Sequence, residues 1–164
     1  MVATSKPKSE PKIAVKAQYV KDLSFENPDP INSLFKITEK PKIDTKLDIN
    51  ITKLSEGNHF EVELSTNVSA TCNDKKIFHI EVVYAGIFQL TNIAEEDKKF
   101  ILSVRCPEII FPYVRQIISE STQKGGFLPL MIDYIDFAEI ISNTQTTNNP
   151  QKSIKPEFDV SNKQ

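Results

Sequence analysis

Four side chains in this 164-residue chain carry thiol or imidazole chemistry: Cys72, Cys106, His59 and His79. No CxxC, HxH or HExxH spacing joins them, so the sequence presents no metal site. A nucleophilic pair of Cys106 with a histidine would have to be assembled in space. A buried free cysteine more often serves as a small hydrophobe. The four glycines stand at 57, 86, 125 and 126, so neither a GxGxxG nor a GxxxxGK phosphate loop can be written. Nucleotide hydrolysis through those loops is excluded.

The elements that would position any site come from a chain that is 39% hydrophobic and 26% charged, ordinary values for one domain with one modest core. Uninterrupted aliphatic or aromatic runs are short, as in Ile109-Ile110-Phe111, against the roughly 20 residues that a membrane helix needs. The N-terminal lysines are not followed by the apolar stretch of a signal peptide, which predicts a soluble, unexported protein with reduced thiols. Net charge is −2, with +2 on residues 1–12 and +1 on 144–164, leaving −5 on the body. A mildly acidic body with basic tails argues against nucleic acid as the main partner and suits a basic protein.

Residues 1–12 and 144–164 have too little apolar surface to offset ordering entropy, and are expected to be a disordered N-terminal tail and a flexible C-terminal tail. Within 13–143 the first pattern has period 2. Ile13, Val15, Ala17, Tyr19, Leu23 and Phe25 all fall on odd numbers, which predicts one strand ended by Asn27-Pro28-Asp29-Pro30. Ile43 to Ile51, Phe60 to Cys72 and Phe78 to Tyr84 repeat the alternation, with turns at Glu56-Gly57-Asn58 and Asn73-Asp74-Lys75. These three read as an antiparallel meander, with the first strand added at one edge.

After Leu90 the spacing becomes helical. Val114, Ile117, Ile118 and Ser121 predict a helix over about 112–124, opened by Pro112 and stopped by Gly125-Gly126. A further helix is expected over 94–104. Another follows Asp136, which with Glu139 resembles a capping box, and presents Phe137, Ile140 and Ile141 on one face. Strands followed by helices give an α+β fold with a four-stranded antiparallel sheet. The odd face of strand 76–84 mixes Ile77 and Val83 with His79 and Glu81, and the helices are few. Association of subunits is therefore expected.

Three separated motifs resemble the SecB family of bacterial export chaperones, in the same order. They are Tyr19-Val20-Lys21-Asp22-Leu23-Ser24-Phe25-Glu26-Asn27-Pro28, Phe78-His79-Ile80-Glu81-Val82 running into Ala85-Gly86-Ile87-Phe88, and Cys106-Pro107-Glu108-Ile109-Ile110-Phe111-Pro112-Tyr113-Val114-Arg115. Leu128-Pro129-Leu130 and Asp136-Phe137 follow. The likeness spans about residues 13–143, taken as the chaperone domain.

The resemblance implies a cytoplasmic, ATP-independent holdase without cofactor or catalytic residues. It would assemble as a homotetramer, a dimer of dimers, without inserting in a membrane or binding nucleic acid. Such a protein captures unfolded precursors in apolar grooves and delivers them to the SecA ATPase of the Sec translocase. Carried over, the groove falls on Phe78, Ile80, Val82 and Tyr84, the SecA-docking surface on Asp22, Glu26 and Glu81, and an oligomer interface on Val114, Ile117 and Ile118. The residue types alone also allow plain core for the first and third sets, and a solvated strand face for the second.

Two departures stand out. His79 occupies a position that is commonly aliphatic in the family, and Ala85 replaces the first of two adjacent glycines, slightly stiffening a turn expected there. A SecB-like chaperone for a dedicated client, such as a toxin–antitoxin pair, is the neighbouring alternative. An enzyme built on Cys106 would require a thiolate of depressed pKa, and a purely structural oligomer would ignore unfolded chains.

Overall fold

The computed structural model describes residues 9–146, so the segments 1–8 and 147–164, where most of both expected tails falls, lie outside the described residues. Strand β1 (Lys12–Glu26) begins one residue before the expected body, and the last helix runs to Thr146. Strands β2 (Lys42–Lys53), β3 (His59–Cys72) and β4 (Lys75–Thr91) form the meander, and β1 pairs with β4, giving the antiparallel order β1-β4-β3-β2. The hairpin between β3 and β4 turns on two left-handed residues, Asn73 (φ 49°) and Asp74 (φ 60°). Asn and Asp tolerate that conformation, and its twist suits the flanking strands. At the other hairpin Gly57 takes φ 58°.

Between Pro30 and β2 the chain makes a wide helical turn, Asn32–Lys36, that the spacing did not announce. Asp29 starts it: its carboxylate accepts from the Asn32 N–H at 3.2 Å and its carbonyl from the Ser33 N–H at 2.9 Å. The bonds from Asn32 hold the Asp29 carboxyl below the usual carboxylate range.

The expected parity of β1 does not survive. Register shifts between Val15 and Ala17 and between Val20 and Asp22 insert one residue each, and every inserted residue exchanges the two faces. Val15, Gln18, Val20, Leu23 and Phe25 therefore stand opposite Phe88, Gly86, Tyr84, Val82 and Ile80, whereas Ala17 and Tyr19 face the other side of the sheet. Strand β4 also continues seven residues past Tyr84, to Thr91. Ala85-Gly86 is thus strand rather than turn. A Cβ on Gly86 would meet the Phe88 ring at 2.7 Å and Ile110 Cγ2 at 3.1 Å, so glycine is there for close packing.

The helix expected over 94–104 is present, and the one expected over 112–124 starts six residues earlier, at Cys106. Helix α1 (Glu95–Phe100) passes through a wide turn, Ile101–Arg105, directly into α2 (Cys106–Lys124). Pro107 stands at the junction of the wide turn with α2, and Pro112 sits inside the helix. It lies on the exposed side, where a carbonyl deprived of its donor stays within reach of water. The opposite side of α2, with Cys106, Ile110, Phe111, Val114 and Ile118 buried, packs on β3 and β4. The stop is as expected: Gly126 adopts φ 88°, and the Phe127 N–H reaches back to the Thr122 carbonyl at 3.0 Å.

The chain then returns along α2. Leu130 N–H donates to Thr122 Oγ1 at 2.9 Å and Arg115 Nε to the Ile132 carbonyl at 2.7 Å. Helix α3 (Phe137–Thr146) begins with the Glu139 N–H donating to Asp136 Oδ1 at 3.1 Å. Buried Phe137 meets Phe111 edge to face, with ring centres 5.6 Å apart. The sheet thus has one face covered by helix and one open.

Candidate functional site

On the open face the strand registers set side chains in cross-sheet rows. Glu26, His79, Ser69 and Asp44 form one row, then Ser24, Glu81, Asn67 and Lys46, then Asp22, Val83, Ser65 and Asp48. Asp22, Glu26 and Glu81 therefore lie within three successive rows at one end of this face, all exposed. Between them His79 Nε2 stands 3.0 Å from Glu81 Oε1, and His79 Nδ1 stands 2.8 Å from Ser69 Oγ.

Further along the same face the carboxylates are already engaged. Lys21, brought onto this side at the second β1 bulge, donates to Glu61 Oε1 at 3.0 Å and Glu63 Oε2 at 2.7 Å, and the Tyr19 hydroxyl donates to Glu61. Burial and then the Glu61 bond push the Tyr19 phenol up to about 12. Bonds from Tyr19 and then Lys21 hold the Glu61 carboxyl below its ordinary range, and those to Glu63 and Glu61 raise the Lys21 ammonium. At one end of the face the carboxylates are thus bonded by Lys21 and Tyr19, and at the other they face solvent.

Phe78, Ile80, Val82 and Tyr84 share the covered face and are buried within this chain. Phe78 packs against Phe127 at 4.9 Å and Phe25 at 5.9 Å, and Tyr84 stacks on Tyr113 at 5.8 Å, its hydroxyl 3.4 Å from Gln18 Oε1. Burial, then the neighbouring Tyr113, raises the Tyr84 phenol. Val114 and Ile118 are fully buried against the same sheet and Ile117 is half-buried beside them, so these three serve the chain's own core.

Open apolar surface lies elsewhere, on connecting segments that the spacing argument passed over. Ile31, Leu34 and Phe35 project from the β1–β2 connection, and Leu128, Met131 and Tyr134 from the return segment. Phe35 is 88% and Leu128 89% exposed. The two groups meet where Leu34 packs over Gly126, a Cβ there being 3.2 Å from Leu34 Cδ1. The available signal was large apolar residues among prolines, outside any periodic run. On the helix side of β1, Val15, Val20 and Leu23 are also open, next to the exposed ring of Tyr113.

The nucleophile reading fails on its geometry. Cys106 is buried, and burial pushes its thiol up to about 12, the reverse of an activated thiolate. His59 Nδ1 lies 2.7 Å from the Glu56 carbonyl, and His79 is engaged on the open face. Among the described residues no group of three or more His, Cys, Asp or Glu could hold a metal ion, and no helix is long and apolar enough to cross a membrane.

The family model described as preprotein translocase subunit SecB matches residues 6–148. The chain is 97% identical, over all 164 residues of both sequences, to the protein-export protein SecB of Orientia tsutsugamushi strain Ikeda. It is 51% identical to that of Rickettsia akari over 139 residues, 85% of this chain and 91% of the relative. In fold it is similar to a SecB-like chaperone of Mycobacterium tuberculosis solved with a ChAD peptide from an antitoxin. That likeness has a TM-score of 0.62 at 12% identity, covering 75% of this chain and 90% of the other. The chain belongs to the SecB family of protein-export chaperones.

Proposed function

We propose that this protein is a cytoplasmic, ATP-independent holdase that keeps unfolded precursors competent for translocation and hands them to SecA. The observation that carries the reading is the separation of an open acidic strand face from exposed apolar connecting segments. An open acidic end of one face suits a basic docking partner. Exposed apolar side chains around Leu34 and Gly126 suit unfolded chains of many sequences, because burial of apolar area is non-directional.

In this reading the body 13–143 is the chaperone domain and the termini are tails. Asp22, Glu26 and Glu81 dock SecA. Ile31, Phe35 and Leu128 make the first contact with a client, while Phe78, Ile80, Val82 and Tyr84 form a floor reached when the return segment and α2 both move off the sheet. The uncovered strip Val15, Val20 and Leu23 with Tyr113 is an apolar patch that a second copy would cover, as the first step towards a dimer of dimers. The outward side of α2 is left for the second contact.

Light scattering alone, with a slow-folding precursor diluted from denaturant, and with SecA tests the whole. A four-subunit mass that gains one precursor and then binds SecA is expected. A tetramer that ignores precursors and SecA would instead indicate a dedicated client, and a lone monomer would overturn the assembly.

A further inference from the structure

We infer that Thr122 and Arg115 are positioning residues for client capture, clamping the return segment on α2 so that it presents Leu128, Met131 and Tyr134; the inference rests on the client reading proposed above. Among the described residues, two hydrogen bonds join the stretch between Leu128 and Ile135 to α2. The Leu130 N–H donates to Thr122 Oγ1 at 2.9 Å, and Arg115 Nε donates to the Ile132 carbonyl at 2.7 Å. Both reach main-chain atoms, so they act whatever side chains the segment carries, and they bracket Met131. Thr122 is itself fully buried. Its one hydroxyl proton turns back into α2, towards the Ser119 carbonyl at 2.9 Å or that of Ile118 at 3.1 Å. With that proton engaged, the oxygen meets the segment as an acceptor.

Burial alone does not choose this orientation. Leu130 is half-buried and Ile132 and Ile135 are buried, whereas Leu128, Met131 and Tyr134 are 89%, 52% and 72% exposed. The two sets are alike in apolar size, and burial of apolar area is non-directional. A free segment could turn about its own axis and bury the second set instead. Fixing the Leu130 N–H and the Ile132 carbonyl towards α2 removes that freedom, because side chains go where their main chain points them. The segment also leaves α2 through Gly125-Gly126, where Leu34 packs, so its orientation sets how Leu128 stands to the exposed Ile31 and Phe35. Side chains held outward in advance lower the ordering cost of binding a client.

The test uses the full-length protein in its own assembly. For orientation, Cys72→Ser leaves buried Cys106 as the remaining thiol, and Met131→Cys and Leu130→Cys are then introduced separately. The outward position 131 is expected to be alkylated at least about tenfold faster than the inward position 130. Thr122→Val, close in shape but without the hydroxyl, is expected to lower that ratio at least about threefold. For capture, the probe is a fluorescent, permanently unfolded protein, reduced and carboxamidomethylated lactalbumin, bound by chains without added cysteines. Thr122→Val is expected to weaken its binding about three- to tenfold with the mass of the assembly unchanged, the size of one lost hydrogen bond to a buried group. Thr122→Ser keeps the hydroxyl and is expected to restore both readings. Arg115→Met removes the second clamp and is expected to act in the same direction, which decides the matter if Thr122→Val fails to assemble. A clamp variant with the unchanged alkylation ratio, or one that loses the ratio yet binds the probe like wild type, would overturn the inference while leaving client capture intact. A wild type that ignores the probe, or an affinity untouched by Phe35→Ser with Leu128→Ser, would remove the client reading, and this inference with it.

Discussion

Val82 and Glu81 are neighbours in sequence and belong to two different surfaces. Val82 points under α2, among Leu23, Thr66 and the buried aliphatics of β3, whereas Glu81 points into solvent beside His79. The same backbone thus carries a packed hydrophobic face and a wet electrostatic one. The two respond to substitution by different physics, burial on one side and long-range charge on the other.

The comparison is broken most severely from the covered side. Val82→Asp puts an unpaired carboxylate in a site with no accessible surface. A loss of more than about 3 kcal/mol is expected, read as the shift of the urea unfolding midpoint. Glu81→Lys, one residue away, is expected to leave that midpoint within about 0.5 kcal/mol. It should nevertheless weaken SecA binding about tenfold, with the loss shrinking at high salt. Equal unfolding penalties for the two would mean that the faces are not independent.

Gly86→Ala sharpens the contrast within β4. Its new Cβ would press on the Phe88 ring and Ile110, so a cost of about 1–3 kcal/mol is expected by the same denaturation measurement. Phe35→Ser with Leu128→Ser acts on apolar residues that the fold leaves open. Stability is expected within about 0.5 kcal/mol of wild type, with slower-folding precursors escaping capture in a refolding-arrest assay. Retained capture would move the client site off these segments.

These cases also locate what was legible in the sequence. The turns at Gly57 and Asn73-Asp74, the stop at Gly126 and the cap at Asp136 were readable because each depends on a few adjacent residues. The meander of β2, β3 and β4 followed from turn lengths, whereas the edge that β1 joins, beside β4, did not. The β1 bulges were not readable, because Ala17 and Tyr19 keep an apolar look on odd positions while facing the other side. Alternation grouped Phe78, Ile80, Val82 and Tyr84 on one face, yet whether a helix covers that face is a tertiary fact. Similarly, the stripe of α2 named Val114 and Ile118 without saying what they touch. The open residues Phe35 and Leu128 sit in segments with no period, where no pattern argument reaches.

The smallest expected effect lies at the end of the open face where Lys21 and Tyr19 bond the carboxylates. Tyr19→Phe removes the hydroxyl that donates to Glu61 and leaves Lys21 bonded to Glu61 and Glu63. At neutral pH little change is expected, since a partly exposed polar network contributes little to folding. The signs appear at the two pH limits. Glu61 titrates lower in the folded chain than unfolded, so its contribution is present above the ordinary carboxylate range and is lost as pH falls through the folded value. Tyr19 titrates higher folded, at about 12, so its contribution is complete below the ordinary phenol range of about 10 and is lost as pH rises from there. Thermal midpoints measured across pH should therefore fall less steeply at both limits in Tyr19→Phe than in wild type. The alkaline difference should exceed the acid one, because Lys21 still holds the Glu61 carboxylate after the hydroxyl has gone. Identical curves would show that the Tyr19–Glu61 bond carries no weight in solution, and that Lys21 alone holds the Glu61 carboxylate.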